Sequence, residues 1–117
     1  MIFAEPLKDE NAVWWHKATL TRWVDADTAV VLLDLGWNLQ RAKQYVRLAH
    51  INAPERFTEA GKSATTFVNE LCPAESEVYL YSYRDGTGRY KRIVADVVYK
   101  GINVNRALAD AGHAVLA

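Results

Sequence analysis

A single helical stripe interrupts an otherwise strand-like sequence, and it constrains the fold more than any other feature. After Pro54 the apolar residues Ala60, Ala64, Phe67, Val68 and Leu71 fall at i, i+4, i+7, i+8 and i+11. That spacing predicts an amphipathic helix from about Thr58, stopped by Pro73. On both sides the apolar period is two. Trp14 to Val24 alternates Ala18, Leu20, Arg22 and Val24 against Thr19, Thr21 and Trp23, which predicts a first strand. Asp25-Ala26-Asp27 supplies a turn. Thr28 to Leu35 is a second strand expected to be buried on both faces. Gly36 to Gln44 is expected as a long connection, and Tyr45 to Ile51 as a third strand. Beyond the helix, Val78–Tyr83 and Tyr90–Tyr99 are the fourth and fifth strands, joined by Asp85-Gly86-Thr87-Gly88. A short helix follows, with Asn103 as N-cap, Val104, Leu108 and Ala111 inward and Gly112 just past its end.

Five strands with a helix between the third and fourth is the layout of an OB-fold Greek-key barrel, here closed by a short C-terminal helix. The expected class is α+β, mainly β with two helices. Residues 1–117 suit one domain, with 1–13 as an irregular lead-in. Half the residues are hydrophobic and 24% charged, which excludes a disordered or low-complexity chain. One cysteine, Cys72, excludes an intramolecular disulfide framework and a multi-cysteine zinc site, and a buried thiol is expected. No apolar run approaches the roughly 18 residues of a membrane helix, and the N-terminus lacks the pattern of a signal peptide. A soluble, monomeric protein without membrane association is expected, its location open and a removed leader compatible with it.

Fourteen basic and fourteen acidic residues give a net charge of zero. A basic tail or acidic arm is thereby excluded as the means of finding a partner. The position of the charges says more. Arg41, Lys43 and Arg47 lie in a stretch without an acid, and Arg84, Arg89, Lys91 and Arg92 are opposed only by Asp85. If the third strand and the turn between the fourth and fifth meet at one barrel mouth, their guanidinium groups converge in the geometry that grips two phosphate oxygens. A solvated strand face has the same composition. Asp25 and Asp27 in the first turn, and Asn52-Ala53-Pro54-Glu55 after the third strand, carry the oxygen donors that hard cations take. Aspartates two apart can divide the work, one facing a metal and one bracing the turn. Ordinary turn chemistry also favours aspartate.

Val24-Asp25-Ala26-Asp27-Thr28, then Val46-Arg47-Leu48-Ala49-His50-Ile51-Asn52-Ala53-Pro54-Glu55, then Gly88-Arg89 resemble the three motifs of the staphylococcal nuclease (thermonuclease-like) family. Gly61-Lys62-Ser63-Ala64 and Val104-Asn105-Arg106-Ala107-Leu108 with Gly112 resemble its two helices, so the resemblance runs from about Ala18 to Ala114. It implies a Ca²⁺-dependent phosphodiesterase acting on DNA or RNA with one bound ion, and a preference for single strands. Asp27 would be a metal carboxylate, with Asn52 and the backbone carbonyl of Ala53 as further ligands and Asp25 supporting from behind. Glu55 would activate or orient the attacking water, Arg47 and Arg89 would clamp the phosphate, and Arg84 and Lys91 would add weak substrate contacts.

The chain departs from the pattern in three places. Asn52 stands where the family usually has a metal aspartate, which predicts weaker metal affinity because an amide oxygen brings no charge. The third motif, Asp85-Gly86-Thr87-Gly88-Arg89, lacks the family's lysine and tyrosine. The family's tyrosine-containing segment and last helix would follow Ala117. Base stacking would then fall to Trp37 or a tyrosine of the fourth strand, for which core or loop packing is the plainer reading. His16, His50 and His113 lack metal-ligand spacing, and His50 reads as a packed strand residue. The rival to a nuclease is an OB-fold module that binds nucleic acid or a protein partner with weak catalysis or none.

Overall fold

The computed structural model describes residues 12–83 and 93–117. The strands are β1 (Ala12–Asp25), β2 (Thr28–Gly36), β3 (Leu39–Leu48), β4 (Ile51–Asn52), β5 (Glu77–Tyr83), β6 (Ile93–Tyr99), β7 (Ile102–Asn103) and β8 (Val115–Leu116). The helices are α1 (Glu59–Leu71) and α2 (Val104–Asp110). The main sheet runs β3-β2-β1-β5-β6-β7, and parallel pairing of Val46–Leu48 with Ile93–Ala95 joins β3 to β6. That pairing closes β1, β2, β3, β5 and β6 into the expected five-stranded barrel with two helices. It also sets Arg47 beside Val94, immediately after the segment that carries Arg84, Arg89 and Lys91. Those three residues lie outside the described residues.

The barrel core is formed by the inward set of each strand: Leu20 of β1, Val31 of β2, Val46 and Leu48 of β3, Leu80 of β5 and Val97 of β6. Val68 of α1 and Leu108 of α2 cap it. Thr58 caps α1 by accepting a hydrogen bond from Gly61 N at 3.0 Å, and Asn103 caps α2 by accepting one from Arg106 N at 3.0 Å. Gly112, in the left-handed region at φ +79°, ends α2. Cys72 is fully buried behind α1, its backbone carbonyl accepting from Trp23 Nε1 at 2.9 Å, and burial pushes its thiol pKa up to about 11.

Several local expectations need correction. β1 takes in residues 12 and 13 of the expected lead-in. Ala60 and Ala111 are exposed, and Gly61 is buried in place of Ala60. Leu35, expected buried with the rest of β2, is exposed. The segment from Gly36 to Gln44 is not a long connection. Trp37 and Asn38 form a two-residue turn at φ +52° and +61°, and β3 starts at Leu39. Positive φ at both central residues suits the twist of paired strands. The strand was illegible because Leu39–Lys43 is exposed on both faces, and the shift between Val31/Leu33 and Gln44/Arg41, where Lys43 adopts φ +58°, breaks the alternation. β3 also ends earlier than expected, at Leu48. His50 follows in a left-handed turn at φ +63°, half-buried and edge-on to Tyr83 at 4.9 Å.

Candidate active site

The turn Asp25-Ala26-Asp27-Thr28 joins β1 to β2, and Arg47 of β3 pairs with Thr28 across the ladder. This register brings a carboxylate and a guanidinium twenty residues apart in sequence to one point. Leu48 N donates to the Asp27 carbonyl at 2.9 Å and locks the turn to β3. Asp27 is almost fully buried, and both of its carboxylate oxygens are engaged. Thr28 Oγ1 donates to Oδ1 at 3.2 Å, and Ala53 N donates to Oδ2 at 2.9 Å. Arg47 Nη2 lies 3.4 Å from the same Oδ2. A buried carboxylate is tolerated because the hydrogen bonds and the opposite charge replace its lost water.

Arg47 is held at four points. Nη1 donates to the Leu48 carbonyl at 2.9 Å and reaches the Asp27 carbonyl at 3.5 Å. Nη2 donates to Asn52 Oδ1 besides facing Asp27 Oδ2. The guanidinium therefore sits between the two side-chain oxygens that the sequence singled out as metal donors. Asn52 is placed by the short pairing of β4 with β8, Asn52 opposite Val115. Asp27, Arg47, Asn52 and Ala53 are thus one connected cluster.

Glu55 lies on the exposed loop that follows, and its backbone is fixed although its carboxylate makes no hydrogen bond among the described residues. Thr58 N and Thr58 Oγ1 donate to the Glu55 carbonyl at 3.1 and 2.8 Å. Gly61 packs against the same carbonyl so closely that a Cβ there would come to 1.7 Å from it. Arg56 extends the loop's grip, with Nη1 3.5 Å from the Val24 carbonyl and its guanidinium 4.7 Å from the Phe57 ring centroid. Asp25 is half-buried on the same turn as Asp27.

Among the described residues no three of His, Cys, Asp and Glu cluster as a metal site would. The donor types around Arg47 nevertheless suit a hard cation: one carboxylate, one amide oxygen and the backbone of the Asn52–Ala53 turn. After the bonds from Thr28, Ala53 and Arg47, Asp27 keeps one of the roughly four acceptor directions of a carboxylate. An ion here would meet one formal charge and would share Asp27 and Asn52 with the Arg47 guanidinium. A cavity of about 300 Å³ adjoins this cluster, lined by residues 52–54 and 112–115. A larger cleft of about 630 Å³ runs along α1 past Arg56, Phe57 and Lys62, and none of Asp27, Arg47 and Asn52 lines it.

Sequence reasoning brought forward Asp27, Arg47, Asn52 and Ala53 together. It overlooked the Thr28 hydroxyl, the Ala53 N–H and the contact of Gly61 with Glu55. Each of these residues stands inside a motif already noted, so residue type was the only signal available. The contacts themselves are tertiary.

A family model described as staphylococcal nuclease homologue matches residues 45–117, which include Arg47 and the Asn52–Glu55 turn. An uncharacterized protein of Bacillus anthracis is 28% identical over 86 aligned residues, covering 68% of this chain. The chain spans 40% of that relative's length.

Proposed function

Because the chain belongs to the staphylococcal nuclease homologue family, we propose that it is a metal-dependent nuclease that hydrolyses phosphodiester bonds of DNA or RNA. The observation that carries the proposal is the convergence of Asp27, Asn52 and the Ala53 turn on Arg47, with Glu55 fixed three residues further on. A phosphodiester resists attack through its own negative charge, so a catalyst must neutralise that charge and aim a nucleophile. Arg47 meets the first need with a fork whose orientation is set by the Leu48 and Asp27 carbonyls. Arg89 is the second clamp, and Arg84 and Lys91 add weaker substrate contacts.

Asp27, Asn52 and the Ala53 carbonyl would hold one Ca²⁺, with Asp25 supporting the turn. When bound, it would supply Lewis-acid polarisation of a phosphoryl oxygen. Glu55 orients the attacking water and takes up its proton; its exposed carboxylate, anchored through a fixed backbone, suits that role. Single-stranded substrate is preferred, since zero net charge gives little counterion release from a long duplex.

The test is cleavage of single-stranded DNA in millimolar Ca²⁺ against an EDTA control and a Glu55→Gln variant. Cleavage that needs Ca²⁺ and is lost in the variant is expected. Cleavage equally fast in EDTA, or unaffected by Glu55→Gln, overturns the reading. A binding module is the second reading, favoured by one observation: Arg47 directs its hydrogen bonds to groups of its own chain. Salt-sensitive binding without cleavage would establish it.

A further inference from the structure

The β2–β3 hairpin carries the most exposed large hydrophobic side chain among the described residues. Trp37 stands at its tip with 96% of its surface open to solvent, flanked by Leu35 and Leu39 at 50% and 57%. The exposure rules out the core or loop packing that a tryptophan at this position would ordinarily suggest. The tip is built rather than loose. Trp37 and Asn38 hold consecutive left-handed conformations, Gly36 sits at φ +82°, and Gly36 N donates to Asp34 Oδ1 at 2.8 Å. A ring presented from a closed two-residue turn loses little conformational freedom when it meets a partner.

Charge narrows the partner. Asp34 is the hairpin's one acid, and it is tied to the turn, whereas Arg41 and Lys43 are exposed on β3 just behind the tip. The same strand continues to Arg47, eight residues beyond Leu39. At about 3.3 Å per residue the two ends lie roughly 25 Å apart. Arg41 lies on the face of its partner Leu33 and Arg47 on the opposite face, so a strand joining them crosses the edge of β3 that β2 leaves open. An aromatic tip, two cations and a phosphate-directed arginine therefore follow one another along the hairpin. That is the combination with which OB-folds hold about 4–16 nucleotides of single strand, stacking bases on aromatic rings and tracking the backbone with cations. A lipid surface would also accept a tryptophan tip, but continuity with Arg47 favours a nucleic acid strand.

We propose that the β2–β3 hairpin is a second contact for single-stranded nucleic acid, in which Trp37 stacks on a base several nucleotides from the phosphate at Arg47 and Arg41 and Lys43 follow the backbone between them. The proposal rests on the nuclease reading for the orientation of the strand, and it concerns affinity for longer strands rather than chemistry.

The test measures binding in EDTA, where cleavage is suppressed, by anisotropy of a labelled single strand of roughly 12 nucleotides, within the range OB-folds cover. Trp37→Ala is expected to weaken binding by about 5- to 150-fold, the loss of one stacked base. Trp37→Phe is expected to retain most of the affinity. Arg41→Gln and Lys43→Gln should each lower the salt slope by about 0.7. A dinucleotide, too short to reach the tip, should bind the wild type and Trp37→Ala equally. Unchanged affinity of Trp37→Ala for the longer strand overturns the proposal. So does equal weakening towards the dinucleotide, or Trp37-dependent binding to anionic phospholipid vesicles without binding to DNA. Parallel cleavage assays in Ca²⁺ separate the two readings. Absent cleavage with Trp37-dependent binding sinks the nuclease alone, and intact cleavage with Trp37-independent binding sinks the hairpin alone.

Discussion

Gly61→Ala replaces a helical glycine by the best helix former, a change that on propensity alone stabilises by about 1 kcal/mol. The structure reverses that sign. A Cβ on Gly61 would meet the Glu55 carbonyl oxygen at 1.7 Å, its carbon at 2.4 Å and Arg56 Cα at 2.9 Å. All three are backbone atoms, so no side chain can swing aside, and the 55–56 loop must leave the first turn of α1. That movement strains the bonds from Thr58 N and Thr58 Oγ1 to the Glu55 carbonyl and the cap from Thr58 to Gly61 N. A lost cap costs about 1 kcal/mol, and overpacking of this kind about 1–3 kcal/mol. With two further hydrogen bonds at about 1 kcal/mol each, and propensity subtracted, the net destabilisation is roughly 3–5 kcal/mol. For a chain of this size that lowers Tm by about 12–20 °C. Because displacement of a catalytic group by about 1 Å can cost 10²-fold in rate, cleavage should fall by about that factor if Glu55 orients the water. Calorimetric melting and a single-strand cleavage assay read the two effects. A Gly61→Ala protein that melts at or above the wild-type temperature would refute the close contact. One that melts lower but cleaves at the wild-type rate would refute the role of this contact in holding Glu55.

Asn52→Asp adds a charge to a set with a single carboxylate and should raise Ca²⁺ affinity by roughly tenfold in titration calorimetry; equal or lower affinity would remove Asn52 from the ligands. Asn105→Ala should cost about 3 kcal/mol in urea unfolding. Its fully buried amide donates to the Ala49 and Ala95 carbonyls and to Asp96, and accepts from Val97 N, so truncation strands several groups of the α2–barrel junction; a loss below 1 kcal/mol would contradict this. The Cys72 thiol, raised by burial from 9.0 to about 11, makes stability fall at high pH. Because its folded value exceeds its unfolded one, its contribution of roughly 2–3 kcal/mol is full below pH 9 and lost as pH rises through 11. Unfolding of Cys72→Ala against pH should lack that part of the decline, and a thiol reagent at pH 8 should label native wild type only after unfolding.

The parts of the fold that could be read in the sequence are those where burial imposes a period. β5 packs one face against the core, so its apolar residues alternate, and the inner half of β2 is buried on both faces, so its apolar residues run on without a break. The α2 cap was legible for a different reason. Asn103 satisfies a helix-end N–H group locally, and local hydrogen bonding leaves its mark in residue type. The outer half of the β2–β3 hairpin obeys neither rule. Both of its faces meet water, so no alternation was required, and the positive φ values fall on Trp37, Asn38 and Lys43 as well as on Gly36, so that glycine alone did not mark the turn. β4, β7 and β8 are two-residue pairings too short to produce any period.

The site divides along the same line. Residue types that carry charge or ligate metals stand out in a sequence, so Asp27, Arg47 and Asn52 could be collected before their geometry was known. Which way Arg47 turns could not. Its fork is aimed by the carbonyls of Asp27 and Leu48, backbone groups identical in every residue, and those lie where they do because β3 pairs with β2 in one register. A slip of one residue would move Arg47 to the opposite face of the sheet and bring Val46 or Leu48 to the Asp27 turn. The buried set Val46 and Leu48, fully inside the barrel, opposes that slip. Apolar side chains with no chemistry of their own therefore determine that the guanidinium faces Asp27 and Asn52, and the position of the charge is decided by the hydrophobic register of its neighbours.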